Sequence, residues 1–275
     1  MRRHVLNALA ALAAVTALTV SGCSSGAAKP SAAGSQGSSG SPASSGSPGA
    51  STPGDTASSP DAPDTPDSSP SVDAFCLRYI AGSDKQVTHF PGGNDHTVEA
   101  YTTGEGPVGI VLAHQVGGDL CQWQPAWKDF PAADYTVMSI TMGGGIDTDV
   151  AKAVEQLRAR GLKKIVLVGA SMGGTAVLAA AGEISPPVQG VVSLSGPSDY
   201  GPADALAAVK TFQVPVSYFA AGKDTEFATD AQTMFDATTE KDKALKIVAD
   251  SSDHGVQLWP EVRPDVFAFI KQHTK

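Results

Sequence analysis

Residues 163–183, with the sequence KKIVLVGASMGGTAVLAAAGE, constrain the fold more strongly than any other stretch of the chain. The apolar run 165–168 predicts a buried strand, and the alanine-rich segment that follows favours a helix. Only GASMG at 169–173 separates the two, so the backbone has to turn sharply at Ser171. The two glycines remove side chains that would collide with the adjoining strand and helix. We therefore predict a strand, a tight turn and a helix, with the serine hydroxyl projecting from the turn.

This arrangement is a nucleophile elbow of the G-x-S-x-G type. Because the strand before it and the helix after it are both readable, GASMGG at 169–174 resembles the elbow of the α/β-hydrolase family. The resemblance implies a mostly parallel sheet of about eight strands flanked by helices, with nucleophile, acid and base in that order along the chain. Ser171 is the nucleophile that it implies.

Apolar runs alternate with helical patterns from residue 107 onward, which predicts an α/β domain with a parallel sheet and right-handed crossovers. A hairpin of two strands precedes them. The predicted strands are 86–90, 97–102, 107–113, 135–140, 165–168, 188–194, 214–221 and 244–249, and the predicted helices are 122–130, 147–160, 202–210, 226–237 and 260–271. The connection 195–213, where the family often carries a cap, is too short for one. We therefore expect an open site with no large cap domain.

The N-terminal segment predicts export. Two arginines, an apolar stretch and then small residues are typical of a signal peptide, here 1–22. The sequence VSGC at 20–23 resembles the lipobox of bacterial lipoproteins. That resemblance implies a lipid on Cys23 and an extracytoplasmic position, anchored to the bacterial cell membrane. An ordinary secretory signal with a coincidental cysteine is the alternative.

The segment 23–72 predicts a tether. It consists almost wholly of Ser, Gly, Pro, Ala, Thr and Asp and contains no aromatic residue. Such a composition cannot bury enough apolar surface to offset the entropy of ordering, so we expect disorder. The folded domain is then 73–275.

The family resemblance also implies partners for Ser171. Of six histidines, His254 lies in the loop after the last predicted strand, where the family keeps its base. Asp224 follows the preceding predicted strand and resembles the usual acid, which would hold the imidazole tautomer and stabilise the imidazolium. Asp199, one strand earlier, is the rival acid. Asp253 is a more remote third candidate.

Two backbone amides are expected to stabilise the oxyanion that forms during attack. One is the amide of Met172, at the start of the elbow helix. The other lies in HQVGG at 114–118, which resembles the family's His-Gly pair except that Gln115 replaces the glycine. By position we prefer Val116 to Gln115 as this donor. His114 is expected to hydrogen-bond the loop rather than to act as a second base.

Cys76 and Cys121 remain once Cys23 is set aside. Two cysteines in an exported domain usually pair, so we expect a disulfide that pins the N-terminal arm beside the site. Free buried thiols are the alternative.

Several classes of function are excluded by composition and spacing. The net charge is −9 and no basic patch stands out, so no nucleic acid partner is expected. The glycines at 143–145 lack the Lys-Ser/Thr of a P-loop, and no Cys/His cluster has ligand spacing, so neither cofactor nor metal is expected.

The expected function is that of a serine hydrolase acting on an ester or related acyl bond, in a small molecule or in the cell envelope. The layout without a cap resembles dienelactone hydrolases. Thioesterase, peptidase and acyltransferase activities use the same three groups and stay open. An envelope-binding protein that keeps the fold without turnover is the alternative from another class.

Overall fold

The computed structural model of this protein describes residues 74–275. The predicted signal peptide, Cys23 and the whole of the predicted tether lie outside the described residues. The strands are β1 Val87–Pro91, β2 Thr97–Thr103, β3 Val108–Ala113, β4 Tyr135–Thr141, β5 Lys164–Ala170, β6 Gly190–Leu194, β7 Asp199–Tyr200, β8 Ala203–Asp204, β9 Val216–Ala221 and β10 Lys243–Val248. The α-helices are α1 Asp129–Ala132, α2 Ile146–Ala159, α3 Met172–Ala181, α4 Ala205–Val209, α5 Thr225–Ala237 and α6 Trp259–His273. Short 3-10 helices span Phe75–Tyr79, Ser83–Lys85, Leu120–Ala126 and Gly255–Leu258.

Eight of the strands form one sheet in the order β1-β2-β4-β3-β5-β6-β9-β10. The pairings β1 with β2 and β2 with β4 are antiparallel, and those from β4 to β10 are parallel. The expected α/β-hydrolase fold, with a mostly parallel sheet, a leading hairpin and flanking helices, is confirmed. Parallel pairing brings the carboxyl ends of β3, β5, β6, β9 and β10 to one edge, and the loops that carry Val116, Ser171, Asp199, Asp224 and His254 all start there.

Both faces of the sheet are covered. On one face, α2 to α5 pack against the strands, and the apolar side of α2 contributes Val150, Val154 and Leu157, all fully buried. On the other face, Leu120–Ala126, α1 and α6 form a second core, in which the rings of Phe130 and Trp259 stack 5.2 Å apart. Each large apolar side chain buried in this way contributes roughly 1.5–3 kcal/mol. The central strands are therefore apolar on both sides, as the continuous runs in the sequence predict.

The predicted helix 122–130 takes a different form. The chain there makes the 3-10 helix Leu120–Ala126 and then the short helix α1. Pro125 lies inside the first of these and has no N–H to continue an α-helical ladder. Two tryptophan anchors also fix the segment: Trp123 Nε1 donates to Ala113 O at 3.0 Å, and Trp127 Nε1 donates to Ser139 Oγ at 2.7 Å. Tertiary contacts, rather than helical periodicity, decide this segment.

Cys76 and Cys121 are joined by a disulfide across a sequence separation of 45. In the chain-entropy treatment a loop of that length corresponds to at most about 4 kcal/mol of stabilisation. The bridge attaches the N-terminal arm to the 3-10 helix Leu120–Ala126, which flanks the loop after β3.

Within residues 74–275, no helix has both the length and the apolar character needed to cross a membrane.

Candidate active site

Ser171 lies in a strained turn between β5 and α3. Its backbone has φ 50° and ψ −119°, in a region that residues with a side chain rarely occupy, at a cost of roughly 1–3 kcal/mol. A Cβ at Gly169 would overlap the carbonyl oxygen of Gly173, and a Cβ at Gly173 would overlap that of Ala113. The Ser171 N–H donates to Leu194 O at 2.8 Å, which fastens the turn to β6. The two glycines of the motif are therefore required by backbone crowding on both sides of the serine.

Asp224 and His254 meet at the same edge of the sheet. Asp224 follows β9, and His254 precedes the 3-10 helix Gly255–Leu258. His254 Nδ1 lies 2.7 Å from Asp224 Oδ2, with the imidazole side chain 31% exposed and the carboxylate 19% exposed. A carboxylate at this nitrogen keeps the proton on Nδ1 and leaves Nε2 free to accept one.

The two other candidate acids make no such contact. Asp199 is exposed in the two-residue strand β7, where its backbone pairs with Asp204. Asp253 is exposed beside His254, and its N–H donates a hydrogen bond to Ser251 Oγ at 3.2 Å. Of the three carboxylates, Asp224 alone hydrogen-bonds His254 within the described chain.

The loops that carry Ser171 and His254 are packed together. A Cβ at Gly255 would lie 3.4 Å from the Cβ of Ala170, so the residues next to the serine and next to the histidine are neighbours. The Ser171 hydroxyl itself has no hydrogen bond among residues 74–275. Catalytic hydrogen bonds of this kind are often long in unliganded sites and shorten when substrate binds.

Phe227 also contacts His254, and nothing in the sequence pattern singled it out. Its ring, on the first turns of α5, lies 4.3 Å from the imidazole, centroid to centroid. The two rings are tilted by 60° to each other, so the phenyl ring packs against one side of the imidazole. Phe227 falls inside the predicted helix 226–237, but one aromatic residue in an amphipathic helix carries no signal of such a contact.

The backbone amides of Met172 and Val116 are unengaged in the described part of the chain. Met172 N is the first helical N–H of α3, where the helix dipole favours negative charge. Val116, on the loop after β3, is 56% exposed. The Gln115 N–H, by contrast, donates to Gln122 Oε1 at 3.0 Å. The sequence favoured Val116 over Gln115 by position alone and gave no sign of the contact with Gln122, which lies on a segment predicted as a regular helix that forms a 3-10 helix instead.

His114 is buried under this loop and fully hydrogen-bonded. Its Nε2 accepts from Met142 N–H at 2.9 Å, so the proton resides on Nδ1, which donates to Gln115 O at 2.8 Å. Burial lowers the pKa of His114 below its ordinary value, against smaller opposing contributions from hydrogen bonds and nearby aspartates. A neutral, doubly bonded imidazole holds the loop in place.

The lowered pKa of His114 predicts a pH-dependent stability. Below about pH 6.5 His114 is protonated in the unfolded chain but stays neutral in the folded chain. The free energy of unfolding therefore falls with decreasing pH until the lowered pKa of the folded state is reached. The loss is about 1.4 kcal/mol for each unit by which the pKa is lowered. Urea unfolding at pH 7.5 and pH 5 should show a steeper loss for the wild type than for His114→Gln. Equal losses in the two proteins would contradict this account.

A cleft of about 480 Å³ opens beside the loop after β3 and the 3-10 helix that follows His254. Gln115, Pro125, Val256, Trp259 and Pro260 are among its lining residues. The lining is mostly neutral, with Asp253 as its one charged side chain. A group bound there would lie next to the residues that flank His254.

Within residues 74–275, no cluster of His, Cys, Asp and Glu has the arrangement of a metal site.

Comparison with solved structures gives the same architecture. The chain is 19% identical to the esterase domain of a Rhodothermus marinus protein, with a TM-score of 0.58 over 69% of this chain and 99% of that one. It is also 19% identical to dienelactone hydrolase from Anabaena variabilis ATCC 29413, with a TM-score of 0.55 over 68% of this chain and 97% of that one. A lipase-esterase related protein from Clostridium acetobutylicum ATCC 824 is 17% identical, with a TM-score of 0.53 over 64% and 99% of the two chains. At these identities the likeness concerns the fold.

No curated protein matches the sequence. The sequence profile of the alpha/beta hydrolase fold matches residues 120–257, which is half of the chain and includes the elbow and both of its expected partners. Together with the sheet order and the strained serine between β5 and α3, this match establishes that the chain belongs to the α/β-hydrolase family.

Proposed function

We propose that this protein is a serine hydrolase that cleaves an ester or related acyl bond, with Ser171 as nucleophile, His254 as general base and Asp224 as the acid that orients it. The observation that carries the proposal is the 2.7 Å contact between His254 Nδ1 and Asp224 Oδ2, beside a serine held at positive φ. Either feature alone has ordinary structural explanations. Their occurrence at one sheet edge is the arrangement that activates a serine hydroxyl.

The groups present are sufficient for a two-step acyl transfer. Ser171 Oγ attacks the carbonyl carbon while His254 Nε2 takes its proton, and the carbonyl oxygen becomes an oxyanion. We assign the Met172 and Val116 amides to that oxyanion, since both are free to donate. His254 then gives the proton to the leaving oxygen, and an acyl-Ser171 remains. Water, deprotonated by His254, attacks this acyl group and releases the acid.

Small or surface-accessible esters suit this site best. No cap covers it in the described chain, and the neighbouring cleft of about 480 Å³ is open and mostly neutral. The three solved proteins named above are an esterase domain, a dienelactone hydrolase and a lipase-esterase related protein, and their shared fold supports an ester as the scissile bond.

We further propose that the enzyme works outside the cytoplasmic membrane, anchored through a lipid on Cys23. The lipobox-like VSGC at 20–23 motivates this, and the disulfide between Cys76 and Cys121 fits an oxidising compartment. Cell fractionation tests it: the wild type should sediment with membranes and Cys23→Ala should not. Equal partitioning of the two proteins would argue for a plain secretory signal.

Labelling with a fluorophosphonate, which reacts with activated serines, tests the proposed function directly. The purified protein should become labelled at Ser171 and should hydrolyse short-chain p-nitrophenyl esters. A folded wild-type protein that neither takes the label nor releases p-nitrophenol would overturn the proposal and favour a binding role.

A further inference from the structure

Gln115 bridges the two loops that the proposed reaction has to keep in register. Its side-chain Oε1 accepts a hydrogen bond from the Val256 N–H at 3.1 Å, across a sequence separation of 141. Gln115 belongs to the loop after β3, which carries the Val116 amide. Val256 stands two residues after His254. One hydrogen bond therefore joins the oxyanion side of the site to its base.

Gly255 lets this bridge form. Its φ of 57° lies in the left-handed region, and a Cβ there would overlap Gln115 Oε1. The amide oxygen thus lies directly over the backbone between His254 and Val256, close to the strand end that leads into Ser171. The Gln115 amide oxygen occupies space that would be blocked by any residue with a side chain at position 255.

The main chain of Gln115 is equally fixed. Its N–H donates to Gln122 Oε1 at 3.0 Å, and its carbonyl oxygen accepts from His114 Nδ1 at 2.8 Å and from Gly118 N–H at 3.2 Å. Gln122 lies on the helix that the disulfide secures. The loop end of the bridge is therefore rigid, and the Gln115 side chain transmits that rigidity to the His254 loop.

We propose that Gln115 is a positioning residue, whose amide oxygen holds the His254 loop against the oxyanion loop so that base and oxyanion donors act on the same carbonyl. It touches no reacting atom. The inference rests on the proposed hydrolase function and adds a part that the family resemblance does not supply, since glycine is the usual residue at this position.

Gln115→Met tests the proposal, because methionine keeps the length of the side chain and removes the acceptor. We expect kcat to fall roughly 10- to 100-fold, the effect of a small misplacement of catalytic groups, with KM changed less than about threefold. Gln124→Met is the matched control: Gln124 is an exposed glutamine on the nearby 3-10 helix Leu120–Ala126, and its side chain makes no hydrogen bond in the described chain. It should keep wild-type kinetics and the wild-type melting temperature.

Three outcomes would overturn the positioning role: an unchanged kcat in Gln115→Met, an equal loss in Gln124→Met, or a raised KM with kcat intact, which would make Gln115 a substrate contact. Amide hydrogen exchange at Val256 gives a readout that needs no activity. Gln115→Met should lose protection at this amide, and retained protection would show that the bridge does not order the loop. If the wild-type protein took no serine label, the proposed hydrolase function would be refuted. The hydrogen-exchange result would still show whether the Gln115–Val256 hydrogen bond orders the His254 loop.

Discussion

The Ser171→Ala variant is expected to lose roughly 10⁶-fold in kcat on a p-nitrophenyl ester, and His254→Ala should lose about as much. The two groups act as one unit, since an unassisted serine hydroxyl holds its proton at neutral pH, and without Ser171 no acyl-enzyme forms for His254 and water to hydrolyse. The double variant should therefore be no slower than either single variant. Initial rates of the four proteins, measured at saturating substrate, check this.

Ser252→Ala is the control for these variants. Ser252 is exposed in the loop before His254, and its side chain makes no hydrogen bond in the described chain. It should keep wild-type kcat and fluorophosphonate labelling, whereas Ser171→Ala should take no label. Multiplicative losses in the double variant, or labelling that persists in Ser171→Ala, would point to a nucleophile elsewhere.

Asp224→Asn is expected to lower kcat about 10⁴-fold while leaving the fold intact. An asparagine can present its NH₂ to His254 Nδ1, which then becomes an acceptor, and the proton moves to Nε2. The imidazole would face the serine with the wrong nitrogen protonated and could not remove its proton. The pH profile of kcat/KM and a thermal melt separate this loss from unfolding.

Asp199→Asn is the matched comparison, because it makes the same chemical change at the rival acid position. It should behave as wild type, since Asp199 is exposed and the hydrogen bond to His254 Nδ1 comes from Asp224. The opposite pattern, with Asp199→Asn inactive and Asp224→Asn unaffected, would move the acid one strand earlier and refute the assignment to Asp224.

The structural features that are set by residues close together in the sequence could be predicted. The elbow at Ser171 is local, since a strand, two glycines and a helix specify it within one short stretch. The sheet was predictable because its central strands are continuous apolar runs, such as β3 and β5. Asp224 and His254 could be proposed only from chain order, because nothing in their own surroundings shows which carboxylate faces which imidazole.

The parts that depend on distant contacts were not predictable. The hydrogen bond from Val256 N–H to Gln115 Oε1 joins residues 141 positions apart, and neither residue stands out alone. The segment after β3 was predicted wrongly as a regular helix because its apolar spacing is helical, while Pro125 and two buried indoles dictate a tighter path. The contact of Phe227 with His254 was also missed, because it joins two residues that are far apart in the sequence. Side-chain pairing across the fold is not encoded in local periodicity.

The short connection between β6 and β9 has a kinetic consequence. It holds only the small strands β7 and β8 and the five-residue helix α4, so no element in the described chain has to move aside before an ester reaches Ser171. The ester then meets a site that is already assembled. We expect turnover to be limited by acylation or deacylation rather than by a gating motion. For such an enzyme, solvent viscosity should have little influence on kcat.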